Sequence, residues 1–166
     1  TGEFNVRRAD ILYDAGRSLN PMIDIGQIQG GFIQGLGNVT TEEIYYDDSD
    51  GGAPLSSNFW NYKPPCSKTI PAQFNTGIYQ YDNAMLNALP GEPFAVWRSK
   101  STGEPPAVLA NSVFFAIRHA VAAARQAQGW PGWFEFDAPA TVTRIQRACR
   151  ERETVAHTLE PAAHAR

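Results

Sequence analysis

Cysteine, histidine and methionine are scarce in this sequence, with two, three and two residues among 166. Cys66 and Cys149 make neither a disulfide framework nor a metal cluster, and such sparing cysteine use favours a reducing compartment. His119, His157 and His164 are too dispersed for a ligand set, so no metal site is expected from them. No run approaches the ~18 uninterrupted apolar residues of a membrane span. A charged segment followed by an apolar core, the mark of a secretory signal, is missing as well. Charge of one sign is also lacking: 14 basic residues stand against 17 acidic ones, for a net charge of -3. Without a basic stripe, charge-driven binding to nucleic acid or to an anionic membrane is not expected.

Several chemistries fall with missing motifs. There is no G-x-G-x-x-G and no P-loop ending, which argues against a phosphate cradle in the glycine-rich region. The absence of G-x-S-x-G and of S-x-x-K removes support for a serine nucleophile. The acidic turn Asp47-Asp48-Ser49-Asp50-Gly51-Gly52 lacks the bidentate glutamate of a calcium loop and reads as a solvated turn.

What is present suffices for a packed core: 43% of residues are apolar and 19% charged. Phe4, Val6, Ile11 and Tyr13 alternate with polar neighbours as in a strand, which the chain enters abruptly from Thr1, as a fragment of a larger protein would. Asn20-Pro21 can cap and start a helix, and Asp24 with Gln27 has the form of a capping box. Ile25, Ile28, Phe32 and Leu36 then follow a helical face. Gly26, Gly30, Gly31, Gly35 and Gly37 interrupt it, each costing ~1 kcal/mol against alanine. Close approach of another backbone or of a ligand would account for them.

Further on, strands are expected around Phe59–Tyr62, from Phe74 to Tyr81 and at Phe94–Trp97, with a surface loop from Asn83 to Pro93. Leu109, Val113, Ile117, Ala120 and Ala124 mark the clearest helix, bounded by prolines and Gly129. Its alanines imply a tightly packed neighbour. A last short helix is expected over Thr141–Arg150.

Glu104 is the residue with the most distinctive setting. It follows Gly103 and precedes Pro105 and Pro106 at the mouth of the alanine-rich helix. A residue before proline is pushed toward extended geometry, which places this carboxylate on a stiff loop, as a positioned acid or base requires. The same residue pattern also suits a helix-start carboxylate or an ion-pair partner for Lys100.

The order of these motifs resembles a known family. Thr1-Gly2-Glu3, Arg8-Ala9-Asp10-Ile11-Leu12-Tyr13-Asp14, Gly16-Arg17-Ser18-Leu19-Asn20-Pro21 and Asp24-Ile25-Gly26-Gln27 are followed by Phe32-Ile33-Gln34-Gly35-Leu36-Gly37, Asn61-Tyr62-Lys63, Gly103-Glu104-Pro105-Pro106 and Pro139-Ala140-Thr141. Residues 1–150 are similar to the C-terminal part of the molybdopterin-binding portion of the molybdenum hydroxylases, xanthine dehydrogenase and aldehyde oxidase. Residues 151–166 have no counterpart and are expected to form a disordered tail. Met22, Gln29, Gly31 and Pro64 depart from the family pattern at what are expected to be packing positions.

The resemblance implies an α+β fragment with mixed strands and two main packed helices. It implies oxidative hydroxylation of purines, hypoxanthine or xanthine, with water as the oxygen source and Glu104 as general base. Gln27 and Gly103 are implied as contacts to a molybdenum–molybdopterin cofactor, with no metal ligand among this chain's side chains. Also implied are 2Fe-2S clusters and FAD in the rest of a cytoplasmic, homodimeric enzyme, without which the fragment is inactive. The alternatives are an aldehyde oxidase, acting on aldehydes or heterocycles, or a non-catalytic α+β binding or scaffold domain.

Overall fold

The computed structural model describes residues 1–88 and 98–151. Strand β1 (Arg8–Tyr13) and strand β4 (Gln73–Ile78) pair in parallel, in register from Arg8↔Gln73 to Tyr13↔Ile78. Parallel neighbours need a long crossover, and helix α1 (Pro21–Thr40) lies within it. The strand is shorter than the alternation predicts: Phe4 and Val6 pack against the core ahead of it, with one long bond from the Ala72 amide to the Val6 carbonyl at 3.4 Å.

Asn20 is the N-cap of α1, with its side chain accepting from the amides of Met22 and Ile23, and Pro21 opens the first turn. Asp24 and Gln27 therefore lie inside the helix and do not form the expected capping box. Ile28, Phe32, Leu36 and Val39 bury one face of α1. Ile28, Phe32 and Leu36 meet Ile11, Val113, Ile117 and Phe134 in a single core, with the Phe32 and Phe74 rings 5.4 Å apart.

Four of the five glycines of α1 divide into two groups, the fifth, Gly37, being packed against the side chains of Glu42 and Pro65. A methyl on Gly31 would overlap the Gly103 carbonyl oxygen, and one on Gly35 would overlap the Ala107 carbonyl oxygen, so the backbones of α1 and helix α3 (Pro105–Leu109) touch directly. Gly26 and Gly30 face open space instead. The close backbone approach expected from the sequence thus explains Gly31 and Gly35 but not the whole set.

Helix α4 (Asn111–Ala127) follows α3 after a break at Ala110, so the single predicted helix is two. Its buried stripe is Ala110, Val113, Ile117, Val121 and Arg125, rotated from the expected one; Ala120 is exposed and Ala124 half-buried. Ala116 and Ala123 are exposed too, with Val108 68% and Phe115 55% exposed, so no neighbour covers this apolar face among the described residues. By length and composition alone Pro105–Ala127 would pass for a membrane span; the buried stripe and the break at Ala110 describe a helix pair seated on a core. Helix α5 (Val142–Arg150) begins at its Thr141 cap, as predicted. Arg125 reaches the far end of α5, donating to the carbonyls of Ala148 and Glu151 at 2.6 and 2.7 Å.

Other expectations are corrected. Residues 59–61 form a turn, not a strand, because the Asn58 side chain and carbonyl accept from Trp60, Asn61 and Tyr62. The stretch from Asn83 opens as a short helix α2 (Asn83–Ala88). The acidic turn does close a small hairpin, strands β2 (Tyr46–Asp47) and β3 (Ala53–Pro54). Met22 is 81% exposed and so is not a packing position within this chain. The strand predicted at Phe94–Trp97 and the tail predicted over 151–166, beyond Glu151, lie outside the described residues. The result is an α+β arrangement of helices on small sheets.

The two glycine groups predict opposite mutational signs. Gly35→Ala should destabilise by ~1–3 kcal/mol through overpacking against backbone. Gly30→Ala should be neutral or stabilise by up to ~1 kcal/mol, the helix-propensity gain of alanine over glycine. Chemical denaturation of both variants beside the parent measures the difference.

Candidate functional site

Three elements converge near Glu104: the end of β1, the first turns of α1 and the segment from Arg98 to α3. That segment runs as a strap across the other two. Lys100 N donates to the Ala15 carbonyl at 2.9 Å, Arg17 N donates to the Arg98 carbonyl at 3.0 Å, and Gly16 and Ser99 form an antiparallel bridge. Gly16 has φ 60°, and a methyl there would overlap the Arg98 carbonyl oxygen, so glycine is required where the strap crosses.

Side chains reinforce the crossing. Tyr13 Oη donates to the Ser101 carbonyl at 2.6 Å. Asp14 accepts from Lys100 Nζ and Tyr81 Oη, both at 2.6 Å, and from the Gly16 amide at 2.8 Å. Partial burial by itself would raise the Asp14 pKa. The hydrogen bonds from Lys100, Tyr81 and Gly16, together with the Lys100 charge, outweigh it and hold the carboxyl below its ordinary 3.8. Lys100 is therefore engaged with Asp14, and the sequence expectation of a Lys100–Glu104 ion pair is not met.

Glu104 is exposed and occupies the N-cap position of α3, at φ −81° and ψ −42°. This backbone is helical, not the extended form expected before proline, and the carboxylate makes no capping hydrogen bond. Neither Pro105 nor Pro106 has an N–H to offer, and the Ala107 amide that follows donates instead to the Glu104 carbonyl at 3.0 Å. With α3 only 5 residues long, the helix-start role has little to act on.

Gln27 is exposed in the second turn of α1. It is three residues after Asp24, which accepts from Thr102, and four before Gly31, which abuts the Gly103 carbonyl. Residues three and four apart share a helix face, so Gln27 sits between the two points where α1 meets the strap. Gly103 precedes Glu104 there, its own α-carbon facing open space. The fold thus brings Gln27, Gly103 and Glu104 to one exposed lip, next to the uncovered backbone at Gly26 and Gly30.

Sequence reasoning missed the supporting shell of Asp14, Lys100, Tyr81, Ser18, Asp24 and Thr102. Asp14 and Lys100 are 86 residues apart, and no local period links them. Among the described residues no group of three or more histidine, cysteine, aspartate or glutamate side chains could hold a metal ion.

The Asp14 network predicts a defined pH dependence. Because its folded pKa lies below 3.8, its contribution to stability is present above that pH and is lost as the pH falls through the folded value. Asp14→Asn should therefore be less stable than the parent at neutral pH, with a gap that narrows below pH 3.8. Urea titrations at neutral and acid pH check this.

Comparison with known proteins adds to this geometry. The profile of the molybdopterin cofactor-binding domain matches residues 1–71. The chain is 45% identical over 154 residues to xanthine dehydrogenase of Drosophila pseudoobscura pseudoobscura, covering 93% of this chain and 11% of that protein. It is 40% identical over 153 residues to probable aldehyde oxidase 2 of Oryza sativa subsp. japonica, covering 90% of this chain and 11% of that protein. Its fold is similar to reconstituted CO dehydrogenase from Oligotropha carboxidovorans, with TM-score 0.68, 26% identity and coverage of 89% of this chain and 16% of that one. Quinoline 2-oxidoreductase from Pseudomonas putida 86 gives TM-score 0.60 and 28% identity, covering 85% of this chain and 16% of that one. The chain spans about a tenth of the length of the curated relatives, 11% in both cases. Residues 1–71 thus match the molybdopterin cofactor-binding domain, and over most of its length the chain is similar to the xanthine dehydrogenases and aldehyde oxidases.

Proposed function

We propose that this chain is the cofactor-side and base-bearing part of a cytoplasmic, homodimeric molybdenum hydroxylase of the xanthine dehydrogenase type, which hydroxylates hypoxanthine or xanthine with water as oxygen source. The observation that supports this reading is the α1–α3 contact at Gly31 and Gly35, because it brings the segment bearing Gly103 and Glu104 down onto the helix that bears Gln27. The residues fit a pterin-borne group. Gln27 offers an amide with no partner among the described residues, and Gly26 and Gly30 leave bare helix backbone next to it, where a bulky ring can lie close.

When bound, the molybdenum cofactor supplies a two-electron redox centre for the reaction. Gln27 holds its edge by hydrogen bonding through the side-chain amide. The Glu104 carboxylate accepts the proton released as the water-derived oxygen attacks an electron-poor ring carbon, a general-base role. 2Fe-2S clusters and FAD in other parts of the polypeptide would supply the electron-accepting chemistry. The exposed apolar face of Val108, Leu109 and Phe115 suits burial against that remainder. Aldehyde oxidases are among the relatives, so an aldehyde is the competing substrate class.

In the full-length, cofactor-loaded enzyme, Glu104→Gln should lower turnover by ~10²–10⁴-fold, the usual worth of general-base catalysis. Cofactor content should hold, and the loss should appear in reduction of the enzyme by substrate under rapid mixing. A near-normal rate there overturns the assignment. Gln27→Ala should lower molybdenum content while shifting stability by no more than ~0.5 kcal/mol, as for a surface site. Metal analysis and thermal melting of one preparation measure both. Faster turnover of hypoxanthine than of aromatic aldehydes is expected of the purine reading.

A further inference from the structure

Asp24 lies in the first turn of α1, half-buried, with both carboxylate oxygens engaged. Oδ2 accepts from Ser18 Oγ at 2.5 Å, and Oδ1 accepts from Thr102 Oγ1 at 3.1 Å. Ser18 belongs to the loop that enters α1, and Thr102 belongs to the strap. One carboxylate therefore joins the entry loop, the helix and the strap. Hydrogen bonds to an ionised acceptor are roughly twice as strong as neutral ones, which suits such a junction.

The attachments along the strap are unevenly placed. Ala15, Gly16, Asp14 and Tyr13 hold its beginning, from Arg98 to Ser101, to the end of β1. The Gly103 carbonyl seats on Gly31 by backbone contact. Between them, Thr102 supplies the side-chain hydrogen bond to the first turns of α1, two residues before Glu104. Two residues of chain span at most ~7 Å, so a change at Thr102 is felt at Glu104.

We propose that Asp24, acting through Thr102, is a positioning residue that holds Glu104 at the Gln27 lip. Asp24 itself does not touch the reacting atoms. This inference rests on the functional reading of Glu104. A displacement of ~1 Å at a catalytic group can cost on the order of 10²-fold in rate, which is the scale the tie has to protect.

The simpler role for Asp24 is electrostatic: a carboxylate in the first turn stabilises a helix through its dipole. The two roles separate by substitution. Asp24→Asn gives up the charge but can accept from Thr102 and donate to Ser18, and Thr102→Val keeps the charge but breaks the tie. In the full-length, cofactor-loaded enzyme, Thr102→Val and Asp24→Ala should lower kcat by ~10–100-fold with KM and molybdenum content little changed. Asp24→Asn and Thr102→Ser should restore kcat. The Asp24→Ala/Thr102→Val double variant should be no slower than the slower single variant, because both remove one interaction.

Native-state amide exchange gives a readout independent of turnover. The amides of Lys100 and Ala107, bonded to Ala15 and Glu104 carbonyls, should exchange faster in Thr102→Val and Asp24→Ala but not in the two conservative variants. Unchanged exchange with normal kcat in Thr102→Val overturns the proposal, as do multiplying losses in the double variant. If Asp24→Ala fails to fold, Thr102→Val carries the test. A normal rate in Glu104→Gln would overturn the functional reading instead, and amide exchange would still decide whether the tie orders the strap.

Discussion

The contact between the backbones of α1 and α3 is the constraint on which the rest of this structure depends. Two helices with side chains at the crossing stand 8–10 Å apart. Here the carbonyls of Gly103 and Ala107 rest where side chains at Gly31 and Gly35 would be. The approach brings the start of α3, and with it Glu104, down onto the third and fourth turns of α1. A methyl at Gly31 has no room against the Gly103 carbonyl oxygen.

Around that contact, the fold secures its parts by different means. The core is apolar: Ile28, Phe32 and Leu36 of α1 meet Ile11 of β1, Val113 and Ile117 of α4 and Phe134. The strap carries few apolar groups and is held by hydrogen bonds to Tyr13, Asp14, Ala15 and Asp24. Hydrogen bonds are directional, so this choice favours precise placement over adaptable packing. At the opposite end, Arg125 is buried beneath Phe134 and terminates α5 by donating to its last carbonyls. A cation at a helix C-terminus meets both the free carbonyls and the negative end of the dipole.

The exposed surfaces fit a segment that completes its environment elsewhere in a longer polypeptide. The outer face of α3 and α4 is rich in alanine, with Val108 and Phe115 prominent. The lip carrying Gln27 and Glu104 is equally open, lined by helix backbone at Gly26 and Gly30. Those two glycines gain nothing from packing within the chain, and the cofactor proposed at the lip would account for their ~1 kcal/mol penalties each.

Local rules were enough for part of this protein. The α1 start at Asn20-Pro21, its Ile28–Phe32–Leu36 face, the Phe74 strand, the Thr141 cap and the Gly129 stop are all legible in sequence. Each depends on neighbours within a few residues. Glu104 and Gln27 could be named from their motifs, but neither their proximity nor their local geometry could. Gln27 looked like half of a capping box until Asn20 took the cap, and Glu104 looked extended until α3 formed around its prolines. The helix break at Ala110 and the buried stripe of α4 were likewise not legible in the sequence. The ties Asp14–Lys100 and Asp24–Thr102 span 86 and 78 residues. The sequence by itself determined the start of α1, its buried face, the Phe74 strand, the end of α4 and the presence of α5, because caps, periodicity and proline act over one or two turns. Only the tertiary structure decided where Glu104 stands, because that position is set by contacts between segments that are distant in the chain.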